Sequence, residues 1–194
     1  MSTLYIGLSP GARACGVVVT LDDQVLEAAT IGAADKSVSA PRVDARTDRT
    51  HGSFVAVVDA PPPARLGAEA WTTALDIVRT HAPAVQAAGV VGAPVIVIAA
   101  VTPRRASVGR GRVCESVIGA SIAVGALAAI LHDQHYQQVA VDGTGDTVIP
   151  DVLTGTRPSG WRGSRGVDRQ PQRDAWLAIE SARGATTSET EAQS

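Results

Sequence analysis

Residues 4–21 read LYIGLSPGARACGVVVTL, two apolar runs (4–8 and 17–21) on either side of a turn punctuated by Pro10, Gly11 and Gly16. Valine-rich runs of this length bounded by Gly and Pro are strand material. Working outward, QVLEAATI (24–31) follows the Asp22-Asp23 turn signal and reads as the second strand. FVAVV (54–58), stopped by Asp59 and the prolines at 61–63, reads as the third. The charged segment between them, 32–53, reads as a long flexible loop.

Beyond Ala64 the period changes. Trp71, Ala74, Leu75, Ile77 and Val78 recur at helical spacing, closed by Pro83. PVIVIAAV (94–101) is continuous and apolar, the pattern of a parallel strand buried on both faces. Val113 to Leu131 is a long apolar helix rich in small residues, expected to be buried and packed closely on a sheet. QVAVD (138–142) is the fifth strand, and 151–170 reads as loop. A last helix is expected from Gln172 to Arg183, with 184–194 a disordered tail rich in Ser, Thr and Glu. Short early connections imply antiparallel pairing, and later helical crossovers imply parallel pairing. The expectation is one α/β domain over 1–183, a mixed five-stranded sheet of order 3-2-1-4-5 with helices on both faces.

Composition narrows the classes. A chain of 194 residues, 45% hydrophobic, with a net charge of −2 suits a single globular domain and excludes collagen-like or wholly disordered chains. Its apolar stretches fall short of the roughly 20 residues a membrane helix needs. The opening residues lack the basic region of a signal peptide, so a soluble cytoplasmic protein without a membrane partner is expected. Cys15 and Cys114, with the histidines at 51, 81, 132 and 135, make no metal motif. The turn at Gly11–Gly16 has the glycine spacing of a phosphate-binding loop but lacks its Lys-Ser/Thr.

Sixteen of the seventeen basic residues are arginine, and their placement is uneven. Arg104, Arg105, Arg110 and Arg112 follow the fourth strand with no acid among them. Arg157, Arg162, Arg165, Arg169 and Arg173 crowd a second segment, opposed only by Asp168. Arginine grips phosphate bidentately, and the neighbouring glycines let backbone approach it. Trp161 offers a ring for stacking on a base or for packing on the domain. These arginines are the candidate nucleic-acid contacts.

Three motifs resemble the RuvC-type Holliday-junction resolvases of the RNase H-like superfamily. Ile6-Gly-Leu-Ser-Pro-Gly11, with Gly16 five residues on, resembles that family's first strand and turn, I-G-I-D-P-G-x-x-x-x-G. PVIVIAAVTP (94–103) is placed like its fourth strand, which ends in a catalytic Glu. Arg173-Asp-Ala-Trp-Leu-Ala-Ile179 resembles its last helix, D-A-x-x-x-A. The resemblance implies junction binding in DNA recombination, a two-fold dimer, and phosphodiester hydrolysis by two Mg²⁺ or Mn²⁺ ions held about 3.5–4 Å apart by carboxylates. At the ligand positions, however, stand Ser9, Ala99 (or Ala100, one register step on) and Pro171, and only Asp174 is retained. One carboxylate does not hold two hydrated divalent cations.

Three functions follow from that substitution pattern. The first is a RuvC-like pseudoenzyme that binds branched or duplex DNA, with cleavage impaired or lost and any metal held weakly by Asp174. The second is an active Mg- or Mn-dependent endonuclease with a rearranged acid set: Asp142 at the end of the fifth strand, Asp168 folding back from the loop, and Asp174. The third is a non-enzymatic interaction protein that keeps only the fold. Asp59, two strands from the first and about 9–10 Å away, is too distant to stand in for the missing Asp.

Overall fold

In chain order the elements are β1 (Leu4–Ser9), β2 (Ala14–Leu21), β3 (Gln24–Gly32), β4 (Val43–Thr47), β5 (Phe54–Val58), α1 (Pro63–Thr80), α2 (Ala82–Ala87), β6 (Val95–Ala100), α3 (Glu115–Ile130), β7 (Tyr136–Ala140), α4 (Asp151–Thr154) and α5 (Gln170–Ala192). The computed structural model describes residues 2–12, 14–32, 43–47, 54–58, 63–100, 115–141, 149–154 and 170–192. Five strands form one sheet of order β3-β2-β1-β6-β7. β1–β2 and β2–β3 pair antiparallel, and β1–β6 and β6–β7 pair parallel. Numbered along the chain, these five strands run 3-2-1-4-5, as the connection lengths imply.

Strand alternation sends alternate residues to opposite faces. Ile6, Leu8, Val17, Val19, Ile96 and Ile98 pack with Leu66, Ala70, Trp71 and Ile77 of α1 and with Ala123, Leu127 and Leu131 of α3. On the other face, Val18 packs with Ala175, Trp176 and Ile179 of α5 and with Leu153 of α4. Val97 and Ala99 pack with Ala178 and Ala182 further along α5. Each large apolar side chain buried in these layers contributes about 2 kcal/mol. Among the described residues no helix is long and apolar enough to cross a membrane.

Several sequence expectations need correction. The third strand of the sheet is 24–32 and the second is 14–21. Residues 54–58 instead pair with 43–47 in a separate two-stranded sheet. β4 lies within the segment read as loop, because its charges (Asp44, Arg46) mask a strand of alternating pattern. Pro83 opens α2, occupying its first turn, where a missing N–H is harmless. α4 lies in the segment taken as loop, and α5 continues past Arg183 to Ala192. Gly184 is exposed with open space around it, so it costs α5 only its intrinsic helix penalty.

α3 also departs from expectation. It packs closely on α1, where a Cβ at Gly67 would lie 2.8 Å from the Ala123 carbonyl oxygen. Its outer face is exposed, with Ile118 and Ile122 each 40% accessible. β7 begins at Tyr136 and ends at Ala140, so the strand stops short of Asp142.

At the amino end of β1, Arg183 ties α5 to the sheet. Its guanidinium lies 4.5 Å from the Tyr5 ring centroid and 5.5 Å from that of Trp176. It donates to Thr20 Oγ1 at 3.0 Å and also to the Asp22 carbonyl and the Glu180 carboxylate. Asp22 occupies the left-handed region (φ 48°), and its carboxylate accepts the Thr3 N–H at 2.8 Å. That bond, helped by the Ser2 side chain, holds the Asp22 carboxyl below its ordinary range. Its contribution is therefore present above the unfolded carboxyl pKa and is lost as pH falls through the lowered one. Arg183→Met keeps the apolar stem but strands Thr20 and Glu180. It should cost about 2–3 kcal/mol, a drop of roughly 5–10 °C in Tm. A Tm unchanged within about 1 °C would contradict this role.

Candidate functional site

The carboxyl ends of β1 and β6 lie side by side. Ser9 closes β1, pairs with Gly16 of β2, and is only 8% exposed. Continuing the parallel register one step past Leu8–Ile98 sets Ala99 beside it. Gly7 and Val97, the pair two residues back, face α5: a Cβ at Gly7 would lie 2.5 Å from the Ala175 carbonyl oxygen, and Val97 packs with Ala178. Ser9 and Ala99 share that face by strand alternation. Ala99 is therefore the residue at the strand-end position, whereas Ala100 falls on the face of Ile96 and Ile98.

The first turn of α5 sits on the same spot. A Cβ at Gly16 would fall inside the Pro171 carbonyl group and 2.7 Å from the Gln172 nitrogen, so only glycine admits the helix here. Pro171, Asp174 and Ala178 follow at i, i+3 and i+7 along one flank of α5. Since Ala178 clusters with Ala99, Asp174 lies one turn further toward the carboxyl end of β6. Gln170 Nε2 donates to Asp174 Oδ1 at 2.8 Å. Ser9, Ala99, Pro171 and Asp174 thus gather at one end of the sheet beneath the start of α5.

This set does not suit a pair of divalent cations. Serine brings a neutral oxygen, alanine and proline bring no ligand, and Asp174 brings one carboxylate, whereas hard cations need several oxygen donors, preferably anionic. Among the described residues, no three His, Cys, Asp or Glu side chains come together as a metal group. Two of the described histidines are engaged away from Ser9: His81 lies 3.2 Å from Glu27 and His132 lies 2.9 Å from Asp133. Cys15, next to Gly16, is buried, and burial pushes its thiol pKa up, so it stays protonated and unreactive at neutral pH.

Of the remaining candidates, Asp142, Asp168, Arg104, Arg105, Arg110, Arg112, Arg157, Arg162, Arg165 and Arg169 lie outside the described residues. Arg173 is half-buried, and its Nε donates to the Leu153 carbonyl at 3.2 Å, joining α5 to α4. Sequence reasoning passes over Gln172, which is 6% exposed in the first turn of α5. The glycines within the strands signal a close backbone approach, but not which segment approaches. No known family, curated protein or solved structure matches the chain.

Proposed function

We infer that the chain is an RNase H-like domain of the RuvC type that binds branched or duplex DNA, its metal-dependent phosphodiester cleavage impaired or lost. The observation that carries this reading is the meeting of Ser9 and Ala99 at the ends of two adjacent parallel strands beneath the first turn of α5. Those are the positions at which the RuvC pattern has Asp and Glu, set in a sheet of the order that pattern uses. In open α/β sheets, ligands bind outside the carboxyl ends of the strands. Both arginine-rich segments attach there, one leaving β6 after Ala100 and the other entering α5 at Gln170. A net charge of −2 does not oppose this, because local patches govern contact with phosphate.

Binding of a DNA duplex and a four-way junction, measured across a salt series in EDTA, tests the reading. Affinity should fall steeply with salt. Replacing Arg104, Arg105, Arg162 and Arg165 together should weaken binding to all sequences and flatten the log–log salt slope by as much as about 3.6, since each lost phosphate contact removes about 0.9. Unchanged affinity and slope in the quadruple variant would return these arginines to an ordinary solvated surface.

A further inference from the structure

Arg173 is the candidate arginine that lies among the described residues, and its guanidinium is engaged. The residue is half-buried, and its Nε donates to the Leu153 carbonyl at 3.2 Å. The acceptor belongs to α4, a helix of four residues, too short to stand by itself. Such a helix leaves its carbonyls without internal partners, and a cationic side chain suits its carboxyl end. Leu153 supplies a second attachment. Its side chain is fully buried in the cluster of Val18, Ala175, Trp176 and Ile179, whereas Asp151 and Val152 of α4 are exposed. Ile149 packs on the same cluster, and the Leu153 N–H donates to the Pro150 carbonyl at 2.8 Å. The carbonyl and the side chain of Leu153 thus fasten α4 to α5 and the sheet.

This contact closes a particular stretch of chain. Leu153 stands just before residues 155–169, and Arg173 stands one helical turn after them. That stretch carries Arg157, Arg162, Arg165 and Arg169. We propose that Leu153 and Arg173 are positioning residues for nucleic-acid binding: they clasp the two ends of the arginine-bearing stretch together on α5, and Arg173 does not itself grip phosphate. A side-on grip on phosphate needs the Nε–H together with a terminal N–H of the guanidinium, and here the Nε–H is given to a carbonyl. Bringing the ends of such a stretch together has an entropic cost. The clasp meets that cost when the protein folds, so less ordering is left for the moment of binding. DNA affinity therefore depends on Leu153, a residue with no charge and buried in the core. This inference rests on the nucleic-acid reading and assigns, within it, which residues hold the contact segment and which touch the ligand.

The test compares the full chain with Leu153→Ala and Arg173→Met in two measurements. One is duplex DNA affinity across a salt series in EDTA. The other is the rate at which trypsin cuts after Arg162, Arg165 and Arg169 without DNA. Both substitutions should speed cutting there severalfold, at a temperature where circular dichroism shows each variant folded. Both should lower DNA affinity about tenfold at every salt concentration with the log–log slope unchanged, because the segment is loosened and no phosphate contact is lost. Leu153→Met keeps the apolar volume and should behave as the unmodified protein does. Arg173→Met leaves the buried cluster intact, so the test stands even where Leu153→Ala does not fold. A slope reduced by about 0.9 in Arg173→Met would make Arg173 a phosphate contact and overturn the proposal. Unchanged cutting or unchanged affinity in both variants would overturn it as well. Unchanged cutting beside normal DNA binding would remove the clasp and leave the nucleic-acid reading standing, whereas no DNA binding by the unmodified protein would remove that reading itself.

Discussion

Gly16→Ala should destabilise the protein by about 3 kcal/mol, a fall of roughly 10 °C in Tm. The added Cβ would enter the Pro171 carbonyl group, which is backbone and has no flexible end to swing aside. The helix is not free to lift away either. Its next turn rests on Gly7, where a Cβ would meet the Ala175 carbonyl oxygen at 2.5 Å and the Ile179 side chain at 2.8 Å. Gly184→Ala is the matched control, lying in the same helix with open space around it. It should stabilise by about 0.5–1 kcal/mol, the ordinary gain in helix propensity. Chemical denaturation of both variants measures the contrast. Equal stabilities for the two would show that α5 does not rest on β2 at Gly16.

The second large effect concerns metal. Ser9→Asp with Ala99→Glu would place two carboxylates on neighbouring strands about 4.8 Å apart, at positions that are 8% and 6% exposed. In EDTA they should repel one another and resist ionisation, lowering Tm by several degrees. Mn²⁺ should reverse the loss, since a cation at a hundred times its Kd adds about 2.7 kcal/mol to stability. Adding Pro171→Asp should raise metal affinity further. The unmodified protein should gain nothing from Mn²⁺. An equal gain in the unmodified protein would mean that its own residues already form a metal site. No gain in the variant would mean that the strand ends do not face a common space.

Much of this architecture is legible in residues 4–21 and 94–101, because β1, β2 and β6 are apolar on both faces and bounded by Gly or Pro. Elements that follow weaker rules are not. The strand 43–47 carries charges at alternate positions and resembles a loop until its pairing with 54–58 is seen. The end of α5 is hidden by Gly184, a helix breaker by propensity that costs little where nothing crowds it. α3 is apolar all round, which reads as a fully buried helix, yet its outer face with Ile118 and Ile122 is exposed. At the site, the motifs mark Ser9, Ala99, Pro171 and Asp174. Gln172 stays hidden because a glutamine in a first helical turn is ordinarily solvated, and its burial depends on how closely α5 approaches Gly16.

The proposed loss of cleavage is tested most directly on a labelled four-way junction, incubated with Mg²⁺ and separately with Mn²⁺ beside an Asp174→Asn control. Binding and product should be measured in the same samples. With no carboxylate at 9, 99 or 171 to hold a cation pair, the unmodified protein should bind the junction in either metal and in EDTA. It should cleave it poorly or not at all, and the control should bind equally well. Efficient cleavage by the unmodified protein would contradict the account, and cleavage that survives Asp174→Asn would in addition require a metal site elsewhere in the chain.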